Sequence, residues 1–166
     1  MATITKHMNQ TKGNSKSTSS EQDATSLLKA DHKLVSALFA DYEATTSSNK
    51  KQQLVEQICK ELSIHAQVEE EIFYPAVQKA LKDHELVPEA IVEHSTLKEL
   101  IAAVKGLKPD GDMYDAKIKV MSEYVKHHVK EEENEMFPEA KSTDLDLVKL
   151  GAQMNERKMQ LSNEYV

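Results

Sequence analysis

Cysteine, glycine and proline are scarce in this chain of 166 residues, and long apolar runs are missing. The single cysteine, Cys59, permits no intrachain disulfide and no CxxC redox or zinc motif. A lone thiol suits a reducing cytoplasm, which is the expected location. Four glycines and four prolines leave few turn signals, so long helices joined by short breaks are expected. No stretch approaches the roughly 20 apolar residues of a membrane span, so no membrane partner is expected. An excess of basic residues is lacking too. With a formal net charge of −7, the chain offers no cationic face to displace counterions from nucleic acid or to meet an anionic lipid surface. Acids are absent from residues 1–20, where Ser, Thr, Asn and Lys dominate. Such a segment cannot bury enough surface to offset its ordering entropy, so residues 1–22 are read as a disordered tail. It also lacks arginine, which argues against an organelle transit peptide. With 39% hydrophobic and 30% charged residues, the remainder fits one globular domain.

Helical periodicity begins after the tail. A first helix carries Ala24, Leu27, Leu28, His32, Val35, Leu38, Phe39 and Tyr42 on one stripe and ends at TTSSNK, residues 45–50. A second runs from about Lys51 with Leu54, Ile58, Leu62, His65, Glu69 and Ile72 in register, and Pro75 should kink or restart it, having no N–H to give. A third follows Pro88 with Ile91, His94, Leu97, Ile101 and Val104, before the break GLKPDGD. The fourth carries Ile118, Met121, Tyr124, Val125, His128, Glu132 and Met136, with Pro138 closing it. A weaker amphipathic helix spans 144–163 through Leu145, Val148, Ala152 and Met159. The expected fold is all-α: an up-down-up-down antiparallel four-helix bundle over residues 23–140, with an additional C-terminal helix from 141–166 packed on it.

Two segments say nearly the same thing. HAQVEEEIFYP, residues 65–75, returns 63 positions later as HVKEEENEMFP, residues 128–138. Residues four apart on a helix share a face, so His65 points with Glu69 and His128 with Glu132. Both pairs lie on stripes that otherwise read as core, where an unpartnered carboxylate costs several kcal/mol as an order of magnitude unless an ion or metal answers it. His32 and His94 occupy matching inward positions on the other two helices. Four imidazoles and two carboxylates in one bundle core make a metal site suited to iron, manganese or zinc, and two bridging-capable carboxylates favour a pair of ions. His127 competes with His128, since it has Glu131 four residues on. The equal spacing of ten residues from histidine to proline in both repeats decides for His128. Glu70, Glu71, Glu131 and Glu133 read as solvated helix faces, and His7 and His84 as surface. Glu61 and Tyr124, each four residues before a site histidine, are candidates for supporting the ligands from behind.

DHKLV at 31–35, HAQVEEEIFYP, EHSTLKEL at 93–100 and HVKEEENEMFP, in that order, resemble the hemerythrin-like family, also called HHE cation-binding domains. The resemblance covers roughly residues 23–140. It implies an oxo- or hydroxo-bridged pair of iron ions, with His32, His65, Glu69, His94, His128 and Glu132 as ligands. The ferritin-like alternative expects Glu-x-x-His on two helices, and no inward histidine here has glutamate three positions before it. Oxygen-carrying hemerythrins have a second histidine on the third helix, four residues after the first; Lys98 stands there instead. With four histidines, the pattern is more similar to members associated with nitric-oxide and oxidative stress, iron-centre repair or iron sensing. The expected partners are therefore O2, NO or peroxide. Three uses remain open: a binding, storage or sensing protein without turnover, a peroxide-decomposing enzyme or repair factor, and a structural metal site.

Overall fold

The computed structural model describes residues 22–109 and 111–165, and all its regular structure is helical. Long helices α1 (Ala24–Ala44), α2 (Ser48–Val68), α4 (Leu86–Val104) and α5 (Asp112–Glu131) form the bundle. Short helices α3 (Tyr74–Ala80) and α6 (Phe137–Lys141) continue α2 and α5, and α7 (Leu147–Glu164) packs across α1 and α2. The expectation of a disordered tail falls on residues outside those described, apart from Gln22.

The starts of three helices follow from capping chemistry. Asp23, Ser47 and Asp146 each accept a backbone N–H three residues on, satisfying a donor that has no partner within the helix. The break before α5 is made by Gly106 and Gly111, whose φ angles of 78° and 77° suit glycine.

Pro88 and Pro138 behave differently from expectation. Pro88 lies inside the first turn of α4, where its missing N–H has no bond to lose. Pro75 stands in the first turn of α3 and restarts the second helix as expected, whereas Pro138 does not close the fourth, which runs on through α6. Each is preceded by one π turn, Glu69–Phe73 and Glu132–Met136, in which Tyr74 N–H bonds Glu69 C=O and Phe137 N–H bonds Glu132 C=O. The wider turn gives each pyrrolidine ring room against the carbonyl four residues back, and the chain continues helically.

Two apolar clusters fill the bundle. One gathers Leu28, Ile64, Phe73, Val77 and Phe137 beneath α7 through Met154 and Leu161; the other gathers Val35, Phe39, Ile58, Leu97, Ile118 and Met121. Between them lies a layer of buried polar side chains. The C-terminal stripe departs from expectation: Val148 and Met159 are exposed, whereas Gly151, Met154 and Leu161 face inward. Gly151 is required there, because a Cβ would meet Gln22 O at 2.4 Å and Ala24 N at 2.8 Å. In α4, Ala90 takes the inward place expected of Ile91.

Candidate metal centre

His32, His65, His94 and His128 each come from a different long helix, and all are buried with Glu69 and Glu132 in the polar layer. The first residue of each π turn is one of the two glutamates. Every imidazole aims Nε2 at a carboxylate. Glu69 Oε2 lies 3.2 Å from His65 Nε2 and 3.3 Å from His94 Nε2, while Glu132 Oε2 lies 3.3 Å from His32 Nε2 and 3.5 Å from His128 Nε2. The rings fall into two pairs, His32 with His65 and His94 with His128, each with centroids 4.9 Å apart. One ligand atom from each of His32, His65, Glu69 and Glu132 lies within 4.8 Å of the others, as does one from each of Glu69, His94 and His128.

The outward nitrogens explain the ring orientations. Nδ1 of His32 faces Glu133 at 2.8 Å, that of His65 faces Asp31 at 3.4 Å, that of His94 faces Glu70 at 3.0 Å, and that of His128 faces Glu93 at 2.5 Å. The arrangement is cyclic. Asp31 on α1 serves α2, Glu70 after α2 serves α4, Glu93 on α4 serves α5, and Glu133 after α5 serves α1. An imidazole donating through Nδ1 presents a lone pair at Nε2, the form a metal takes. His94 and His128 then bring two such lone pairs to 3.3 Å from each other.

Among the described residues, four buried atoms of the layer, His32 Nε2, His65 Nε2, Glu69 Oε1 and Glu132 Oε2, have no hydrogen-bond partner. With the imidazoles neutral, lone pairs converge here without a donor, which is costly in a protein interior, and a cation answers all of them together. The donor set therefore fits a metal. Without one, burial and then the charge of Glu132 push the Glu69 carboxyl well above the usual range. Burial raises Glu132 as well, but the His128 and His32 charges outweigh it and bring the carboxyl to about 2.

Sequence reasoning missed several residues. Tyr74, fully buried, places its hydroxyl 2.8 Å from Glu132 Oε1, 3.3 Å from Glu69 Oε2 and 3.2 Å from His94 Nε2. Glu70 and Glu133 are not merely a solvated face, since each orients a site histidine. Among the described residues, neither Glu61 nor Tyr124 hydrogen-bonds a site histidine. The signal was adjacency: each orienting acid is the immediate neighbour of a histidine or glutamate of the site. One position along a helix turns the side chain by about 100°, toward the next helix. Lys98 runs outward, with Nζ 2.7 Å from both oxygens of Glu70. His127 lies at the surface, 59% exposed, 3.0 Å from Glu131. From α7, Lys158 bonds the second oxygen of Asp31, and Arg157 pairs with Glu71 at 2.6 Å.

Among the described residues, clefts reach this layer from two sides. One of about 200 Å³ lies between α1 and α5, with Phe39, Ala40, Val125 and Val129 in its walls, and touches His32. Another of about 40 Å³, between α4 and the second π turn, touches Glu132. A larger cavity, about 590 Å³, surrounds Cys59, Val104 and Tyr114 and touches none of the six residues.

A "DNA nickase" from Nostoc sp. is 29% identical over 127 residues, 76% of this chain, and the chain spans 35% of that relative's length. The crystal structure of a hemerythrin HHE cation binding domain-containing protein from Mycobacterium kansasii has the same fold, with a TM-score of 0.75 at 24% identity, covering 86% of this chain and 89% of that one. The model of the hemerythrin HHE cation binding domain matches residues 23–140, the span that supplies all four histidines and both glutamates. This chain belongs to the hemerythrin HHE cation-binding domain family.

Proposed function

We propose that the protein holds two iron ions, with Glu69 and Glu132 between them, His32 and His65 on one side, and His94 and His128 on the other. One observation carries this reading. Each carboxylate has an oxygen within 3.5 Å of one histidine from each pair, the placement of a bridge between two centres. Imidazole with carboxylate also suits manganese or zinc, so metal identity is part of the test. Six protein ligands leave positions on both ions for O2, NO or peroxide, and the metal supplies the redox chemistry there. The protein's own residues orient and exclude: the four acids fix the rings, the apolar clusters keep bulk water away, and the cleft beside Phe39 and Val125 admits small neutral molecules to the His32 side. Lys98 is drawn outward by Glu70 and adds no ligand. The reading is of a protein that reacts with O2, NO or peroxide in stress or iron homeostasis. Nucleic acid is outside this reading, because a net charge of −7 disfavours contact with phosphates.

Tyr74 favours a second reading, peroxide turnover, because its buried hydroxyl beside both carboxylates can donate a hydrogen bond to a peroxide held there.

Metal analysis of the purified protein, with optical spectra of the reduced form before and after air or NO, tests the first reading. Two irons per chain, rapid and stable oxidation in air, and NO binding are expected. One metal per chain, or oxygen taken up and returned under vacuum, would overturn it. Oxygen evolution from hydrogen peroxide tests the second.

A further inference from the structure

A hydrated dication has no evident route to a layer whose ligands are nine-tenths buried or more, except through an opening that can replace its water with oxygen and nitrogen donors. The cleft beside Phe39 and Val125 carries a single acid, Glu43, and its wall also holds the cation Lys126, which repels a dication. The smaller cleft offers many such donors. Glu89, Glu93, Glu131 and Glu135 line it, and among the described residues none of its walls is basic. Glu132 also lines it, and the Oε2 atom of that side chain, 1% exposed, has no hydrogen-bond partner. The cleft thus joins an acidic outer surface to an unsatisfied carboxylate of the central layer.

At its mouth stands a second group of donors. His127 Nε2 lies 3.0 Å from Glu131 and 3.7 Å from Glu93 Oε1, and one donor atom from each of these three residues lies within 4.8 Å of the others. Glu93 faces both ways: its other oxygen meets His128 Nδ1 at 2.5 Å. The adjacent histidines His127 and His128 therefore stand on two sides of one carboxylate.

We propose that Glu93, His127 and Glu131 form a transit site for a divalent cation, and that metal loads the centre through this cleft. This rests on the reading of the central layer as a metal site. The acidic mouth raises the local concentration of dications, and the imidazole with its two carboxylates replaces part of the water shell. Binding at the mouth draws on the outer oxygen of Glu93, while its other oxygen keeps His128 oriented to receive the ion at Nε2. Glu132 Oε2 is the next donor inward.

The test is the rate at which metal-free protein takes up Co2+, followed by the visible absorption of the loaded centre. Wild type, His127→Ala/Glu131→Gln, and the charge-matched Asp41→Asn on the exposed face of α1 are compared. The double variant should load about tenfold more slowly, with final Co2+ content and spectrum unchanged, while Asp41→Asn loads as wild type does. Salt should slow wild type more than the double variant, since screening acts on the charges removed. Equal rates for wild type and the double variant, or a final spectrum that changes with the rate, would overturn the transit site. Wild type that takes up no Co2+, Fe2+ or Zn2+ would overturn the central site itself, a distinct outcome.

Discussion

The Tyr74 hydroxyl donates a 2.8 Å hydrogen bond to Glu132 Oε1, joining the two repeats across the middle of the bundle. Tyr74 lies five residues after Glu69, an offset that would swing it about 140° away on a regular α-helix. The π turn cancels the offset. Burial, and then the charges of Glu69 and Glu132, push the phenol well above its ordinary range, so it stays a donor at any physiological pH.

Tyr74→Phe keeps the ring and deletes the donor. In the metal-free protein, leaving Glu132 Oε1 unanswered should cost about 1–3 kcal/mol. The loss should shrink once metal is loaded, because the ion then answers the carboxylate. Denaturant unfolding of both forms measures it, and equal losses with and without metal would place the hydroxyl outside the site's chemistry.

The same π turns mark where the sequence stops being legible. His32, His65, His94, His128, Glu69 and Glu132 could be read because each sits on a stripe of period 3.6 before the turn widens. Tyr74 and Phe137 could not, since both are brought inward by the extra residue. The orienting acids were hidden for another reason. Glu70 and Glu133 belong to runs of glutamate, and a charge run looks solvated until the neighbouring helix is in place. In α7 the larger residues Val148 and Met159 misled, because the inward face is set by the close approach at Gly151 rather than by side-chain size.

His128→Ala should remove much of the bound iron at equilibrium, whereas His127→Ala should leave the equilibrium content near that of wild type. His128 is 5% exposed with Nε2 facing Glu132, while His127 is largely in solvent. Metal content after dialysis against a weak chelator decides it. A large loss in His127→Ala would reverse the assignment.

Gly151→Ala tests the coupling of α7 to the centre. The added methyl collides with backbone at Gln22 and Ala24 rather than with a flexible side chain, so overpacking of about 1–3 kcal/mol is expected. Lys158 reaches Asp31, which orients His65, so partial undocking of α7 should also hasten metal release. A lowered thermal midpoint with unchanged release would confine α7 to a structural role.

A metal held by all four histidines would tie four helices at one level, so iron should raise the thermal midpoint by binding the native state preferentially. Free metal at 1,000 times its dissociation constant corresponds to about 4 kcal/mol. Identical melting of metal-free and loaded protein would count against a site that spans the bundle.

The size of that gap should depend on pH, and the direction follows from the ligands. In the metal-free protein, burial lowers His65 from 6.5 to about 4 and lowers His94 as well, so both arrive neutral near pH 7. Burial opposes charge on His32 and His128 too, but Glu132, with Glu133 on one ring and Glu93 on the other, outweighs it and raises both. Neutral His65 contributes stability above 6.5 that is lost as pH falls toward 4, whereas His32 and His128 contribute stability at low pH that is lost as pH rises through their raised values. In the metal-free protein these effects oppose one another. Metal changes the balance, because every ligand must give up its proton: His32, His128 and Glu69 are the groups that hold protons most tightly. Loading should therefore acidify a weakly buffered solution near pH 7, and apparent affinity should fall about tenfold per pH unit for each proton displaced. The gap between the loaded and metal-free midpoints should narrow from pH 7 to pH 5. Indicator-dye titration during loading, together with melting at several pH values, measures both. Loading without proton release, with a gap independent of pH, would mean that the ion is held by groups other than these histidines and Glu69.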